Sequence, residues 1–128
     1  MNRKLILMSS FLGATSIVLG AFGAHALKET LSLEQLVSFE TGVRYQMYHA
    51  LFLLFAGTTV SVSEKIKTQL LYMVTIGVIL FSGSIYLLAT QSLSGISFSF
   101  LGPVTPIGGL FLISSWFWLF FSTLKAKG

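Results

Sequence analysis

Apolar residues fall into four long runs separated by short polar stretches: Leu5 to Leu27, Val43 to Val62, Leu70 to Thr90 and Val104 to Leu124. At about 1.5 Å of rise per helical residue, a run of about twenty residues reaches across the roughly 30 Å hydrocarbon layer of a bilayer. Backbone in lipid has no water to bond with, so every N–H and C=O must be paired within the chain, and such runs predict helices. The pattern therefore predicts an all-α fold, an integral membrane four-helix bundle in which residues 1–128 form a single transmembrane domain.

The breaks between the runs carry their own signals. Between the first two, Leu33, Leu36, Val37 and Glu40 recur at helical intervals, which predicts a short amphipathic interfacial helix. Ser32 and Gln35 have the spacing of a capping box that starts it at Leu33, and Gly42 offers a bend before the second span. The stretch from Gln91 to Pro103 is rich in Ser, Gly and Phe. It reads as too broken for a helix and too apolar for a free tether, and is expected to dip against the bundle. Thr105 is expected to cap the fourth helix and Pro106 to take its first position, where the missing N–H costs nothing.

Lipid tails are as apolar as leucine, so helices in a membrane associate through close backbone approach at small residues. In the first span Ser9, Gly13, Ser16, Gly20, Gly23 and Ala24 share one helical face, which predicts a stripe against a partner helix. Gly77 with Ser84, and Gly108 with Ser115 and Ser122, repeat the seven-residue spacing of a left-handed seam, with Gly83 and Gly109 beside them. The same stripes suit a homo-oligomer or a larger membrane complex.

Composition agrees with a lipid environment: 54% of residues are hydrophobic and 9% charged, too little polar surface to coat a soluble domain. The net charge of +4 does not point to nucleic acid, because the basic residues lie at the ends of the runs instead of on one face. Arg3, Lys4, Lys65, Lys67, Lys125 and Lys127 would share one side of the membrane, and Lys28 and Arg44 the other. The positive-inside rule then predicts a multi-pass protein of the bacterial cytoplasmic membrane with both termini in the cytoplasm. Ala24-His25-Ala26 after an apolar stretch imitates a signal-peptide cleavage site. The 19 residues from Leu5 to Gly23 exceed the roughly 7 to 15 of a signal core, however, and the first run is read as a retained span. Cysteine is absent, which excludes disulfides, thiol catalysis and thiolate metal sites.

Ionisable residues within a span are candidate functional groups, since burying them is costly without a partner. The candidates here form a polar cluster at the outer end of the second span: Glu40, Arg44, Tyr45, Gln46, Tyr48 and His49, with His25 from the first span. Glu40, Arg44 and Tyr48 follow at i, i+4 and i+8, so Arg44 is expected to pair with Glu40. His49 is expected one to two turns below the outer surface and close enough to His25 for the two to approach. Two histidines without cysteine or a carboxylate pattern fall short of a metal set, and neither metal nor cofactor is expected. Trp116, Phe117, Trp118, Phe120 and Phe121 crowd the cytoplasmic half of the fourth span, where they read as interfacial anchors; a cofactor or quinone platform would use the same residue types, and nothing in the spacing selects it.

Four blocks carry a resemblance: Gly20-Ala-Phe-Gly-Ala-His-Ala-Leu27, Tyr45-Gln-Met-Tyr-His-Ala-Leu51, Phe81-Ser-Gly-Ser-Ile-Tyr86 and Gly102-Pro-Val-Thr-Pro-Ile-Gly-Gly109. Together, and in this order, they resemble the signature blocks of the small bacterial membrane proteins called domain-of-unknown-function family 423, which is related to eukaryotic transmembrane protein 256. The resemblance implies a four-helix inner-membrane protein without an assigned activity. It places His25, Tyr45, Gln46, Tyr48, His49, Thr105 and Pro106 in family motifs, and Ser115 stands where it implies glycine.

No paired carboxylates and no nucleophile beside a base are present, so an enzyme is not expected. The leading expectation is a non-enzymatic accessory protein, or one that binds lipid or a small amphiphile. The alternative is a small transporter or proton-conducting unit working through His25, Arg44 and His49.

Overall fold

The computed structural model describes residues 2–126, and Lys127, counted above among the cytoplasmic charges, lies outside them. Helix α1 (Arg3–Phe22) runs into a π-helical turn at Gly23–Leu27. Helix α2 spans Leu33–Thr58 and α3 spans Glu64–Val78; a second π turn at Ile79–Gly83 joins α3 to α4 (Ser84–Ala89). The one-turn helix α5 (Gln91–Ser94) and a 3₁₀ turn at Ser99–Leu101 lead into α6 (Val104–Lys125).

Helix starts follow local chemistry. Asn2 accepts from the N–H groups of Lys4 and Leu5 and Ser63 from that of Ile66, filling orphan donors at the first turns of α1 and α3. The Ser32–Gln35 capping box forms in both directions, at 3.1 and 2.9 Å. What it starts differs from expectation, because no separate interfacial helix exists: α2 continues through Gly42 without a bend. Gly42 is needed for another reason. A Cβ there would stand 2.7 Å from the Tyr86 ring, so glycine lets α4 approach.

The α6 start also differs. The helix begins at Val104 with Pro103 in the cap position, and Pro106 is its third residue instead of its first. The first four N–H groups of a helix are unpaired in any case, so proline fits at either position. Thr105 does not cap; its hydroxyl bonds Ser84 of α4. The stretch from Gln91 to Pro103 holds one turn of helix that its composition did not announce, stopped by Gly95 at φ +73°, and Ser92 to Ser97 are exposed instead of lying against the bundle.

Among the described residues three helical stretches are long and apolar enough to cross a membrane: Arg3–Leu27, Glu64–Ala89 and Ser99–Lys125. Helix α2 is long enough but more polar. Its polar residues Gln46 and His49 are buried against other helices, so they need not be compatible with lipid. It lies antiparallel to α1, with Gly57 at the level of Leu5, Ala50 at Gly13, Val43 at Gly20 and Phe39 at Gly23. The α1 stripe is thus used inside the protein, against α2. Ala24 is the exception: it is exposed where the π turn rotates the helix.

The stretch Glu64–Ala89 sits between two glycines. Gly42 of α2 receives Tyr86 and Ile85 on one side, and Gly108 of α6 meets the backbone of Leu80 and Phe81 on the other. Gly77 receives Leu112, and Ser115, where the family resemblance implies glycine, is fully buried. Gly83 faces open space, contrary to its expected packing role, and Gly109 is in ordinary contact with Phe81. The helices therefore pack as α1 on α2, α2 on α3 and α4, and α3 on α6. A hydrophobic cluster around Leu5, Leu53, Leu70 and Val74 fills one half, and a smaller one around Leu27, Leu31, Phe39 and Ala89 fills the other.

At the end where α1 and α3 begin, Arg3, Lys4, Lys65 and Lys125 are exposed. Lys67 does not join them at the surface. It is 2% exposed, donating to the Gly57 carbonyl at 3.2 Å and lying 3.7 Å from Glu64. The buried ammonium ties the end of α2, where carbonyls are unpaired, to the start of α3.

Candidate functional site

The polar residues of α2 separate into three kinds. Gln46 is buried and saturated: its amide donates to the Leu12 carbonyl at 3.0 Å and the Thr15 hydroxyl at 2.7 Å, and its oxygen accepts from Tyr86 at 2.7 Å. One side chain thus joins α1, α2 and α4. Glu40, Arg44 and Tyr48 are exposed. The expected Glu40–Arg44 ion pair is absent; Arg44 donates to Thr41 at 3.2 Å instead, one turn back on the same helix.

His49 is the third kind. It is 3% exposed, with Nδ1 2.7 Å from the Tyr45 carbonyl and Nε2 accepting the Trp116 indole N–H at 3.1 Å. An indole N–H only donates, so Nε2 holds the lone pair and the neutral ring carries its proton on Nδ1. The bond to Trp116 ties α2 to α6, two helices whose backbones scarcely meet. Phe52 packs on the same indole, ring centroids 4.3 Å apart.

These contacts correct the expected depth. Ala50 lies against Gly13, which is ten residues from Arg3 and fourteen from Leu27, so His49 sits near mid-helix and not one to two turns from the outer end. His25 is twelve residues further along α1, about 18 Å away, and is exposed, so the two histidines do not approach. Among the described residues no three His, Cys, Asp or Glu side chains gather. Trp116 is twelve residues into α6 and is bonded to His49. Trp118 lies closer to the basic end, donating to Gln69 at 2.8 Å.

Beside the His49–Trp116 pair a groove of about 270 Å³ opens between α2 and α6. Tyr45 and His49 form one wall and Gly109, Leu112, Ile113 and Trp116 the other, with Phe81 of the π turn as floor. The Tyr45 and Phe81 rings touch at 5.2 Å between centroids. Turns of π-helix recur at functional sites, and this one places an aromatic ring where a regular helix would place a different face. The hollow between α1 and α3 is larger, about 400 Å³, and is lined by Leu7, Met8, Phe11, Leu71 and Tyr72 together with Lys4 and the unpartnered Thr75 hydroxyl, but it has neither a buried imidazole nor a buried amide. The α2/α6 groove is the candidate site.

Sequence reasoning found His49, Tyr45 and Gln46 but missed Trp116, Phe81 and Tyr86. Nothing in the spacing of a single helix announces a partner on another one. The only signal was the polar character of His49, whose ring needs a partner in an apolar core.

Comparison with known proteins places the chain among relatives of unknown function. Residues 19–109 match the family model described as protein of unknown function (DUF423). A UPF0382 membrane protein of Staphylococcus haemolyticus is 39% identical over 129 residues, covering 98% of this chain and 99% of that protein. UPF0382 membrane protein YwdK of Bacillus subtilis is 34% identical, covering 96% of this chain and 98% of its own length. UPF0382 inner membrane protein YgdD of Escherichia coli is 30% identical, covering 98% and 93%. No solved structure matches.

Proposed function

The chain belongs to the DUF423 family of membrane proteins, and on that premise we propose that it is a non-enzymatic, four-span protein of the cytoplasmic membrane that holds a small amphiphile or lipid in the groove between α2 and α6. In this reading α2 is the fourth crossing, made tolerable in lipid because Gln46 and His49 point into protein. The exposed Arg3, Lys4, Lys65 and Lys125 share one end, which under the positive-inside rule is cytoplasmic, so both termini lie there.

One observation carries the binding role: an aromatic-walled groove, open at the surface between α2 and α6, with a buried imidazole at its side. Ligand sites combine apolar walls with a few fixed polar groups in this way. A conducting role has less support, because His25, Arg44 and His49 lie apart, two of them exposed.

The test is extraction of the protein from native membranes in mild detergent and mass spectrometry of what stays bound. A discrete low-molecular-weight amphiphile is expected with the wild type. It should be lost in Ile113→Phe, which fills the groove from a position already 55% exposed. Wild type and Ile113→Phe carrying identical bulk lipid would reject the proposal.

A further inference from the structure

We propose that the groove selects a neutral ring bearing a hydroxyl, such as an alkylphenol or hydroquinone head, whose hydroxyl inserts between His49 and Trp116; the inference rests on the binding role proposed above. Three observations narrow the ligand to this class.

Volume comes first. About 270 Å³ exceeds the roughly 150 Å³ cavity known to take benzene, so a substituted ring fits but the head and two chains of a phospholipid do not. Depth is second. His49 and Trp116 lie near mid-helix, and among the described residues no charged side chain lines the groove. A charged head would be stranded there without a counter-ion. At that same depth the walls favour a flat ring, since Tyr45, Phe81 and Trp116 all present aromatic surface.

The polar pair gives the third and sharpest constraint. His49 Nε2 accepts and Trp116 Nε1 donates, and in the resting protein each satisfies the other. A ligand that separates them must replace both halves of the bond. A hydroxyl does so with one atom, its oxygen accepting the indole N–H and its proton going to Nε2. A carbonyl or ether oxygen accepts from Trp116 but leaves the imidazole lone pair unmatched, which is costly in a buried site. Trp116 has room to move aside because it is 50% exposed.

The chain has two tryptophans, so Trp118→Phe leaves Trp116 as the sole reporter. In nanodiscs, that protein titrated with a long-chain alkylphenol should show a saturable change in indole emission. The methyl ether of the same phenol should bind at least about tenfold more weakly, since a site that bonds a hydroxyl rejects the analogue lacking it. His49→Phe should bring the two affinities together, and Ile113→Phe, which leaves the pair intact, should weaken both. Equal binding of phenol and ether in the Trp118→Phe protein would overturn the inference, as would a preference that survives His49→Phe. A straight-chain alcohol competing as well as the phenol would overturn the ring requirement while sparing the broader binding role. No saturable binding by phenol, ether or alcohol would remove both.

Discussion

The two seams of this molecule are held by different means. Along α1 and α2 the helices meet glycine on side chain, Gly13 against Ala50 and Gly20 against Val43 in ordinary contact and Gly23 against Phe39 and Gly57 against Leu5 more tightly, and Gln46 adds a buried amide with three partners. Where α6 crosses α3 and the π turn that follows it, the central contact is backbone on backbone: a Cβ at Gly108 would stand 2.7 Å from the Leu80 carbonyl carbon and closer still to the Phe81 nitrogen. The difference matters because hydrogen bonds between membrane helices average about 0.6 kcal/mol and reach about 1.7, whereas overpacking a tight contact costs about 1 to 3. The seam with fewer polar bonds should be the less tolerant one. His49 and Trp116 join the two seams with a single bond, and the groove lies where that bond is the main tie.

Substitutions at the two kinds of contact test this contrast. The largest effect is expected for Gly108→Ala, which should lose about 2 to 3 kcal/mol of stability in thermal unfolding in detergent, since no flexible side chain can yield. Gly83→Ala, the same change facing open space, should be neutral or gain up to about 1 kcal/mol from helix propensity. Equal losses at the two positions would mean that backbone proximity does not hold the α3/α6 seam.

Next is Gln46→Leu, expected to cost about 1 to 2 kcal/mol by removing two interhelical bonds and stranding the Tyr86 hydroxyl. Tyr86→Phe alone should cost less, and the double variant less than the sum, because both remove one shared bond. Strict additivity would show that the two do not act as a unit.

A smaller loss, about 0.6 kcal/mol, is expected for Trp116→Phe. Adding it to His49→Phe should remove little more than His49→Phe does alone. Smallest is Arg44→Gln, expected within about 0.5 kcal/mol because the guanidinium is exposed and bonds only Thr41. A loss above 1 kcal/mol there would restore a structural role for the charges at the start of α2.

Much of this was legible in the residues. Local spacing announces the Ser32–Gln35 capping box, the α1 stripe apart from Ala24, and the close approaches at Gly77 and Gly108, although the box starts the whole of α2 instead of a separate interfacial helix. Errors arose where one residue type admits two uses. Gly42 suits a bend by residue type but serves a close approach, and Thr105 suits a cap but bonds across to Ser84. Lys67 was counted as a surface charge but is enclosed by the Gly57 carbonyl and Glu64.

What the sequence determined by itself is the solvent: runs of apolar residues this long require lipid, lipid requires helices with their backbone bonds satisfied internally, and capping residues mark where several of them begin. The tertiary structure alone decided which polar groups meet. Gln46 and His49 lie less than one turn apart on α2 and carry similar need for partners, yet one is closed by Leu12, Thr15 and Tyr86 and the other is left at the edge of a groove with Trp116. Periodicity reports the face a side chain takes on its own helix, whereas its partner depends on the register between helices, which small residues far from either one set by how closely they let the backbones approach.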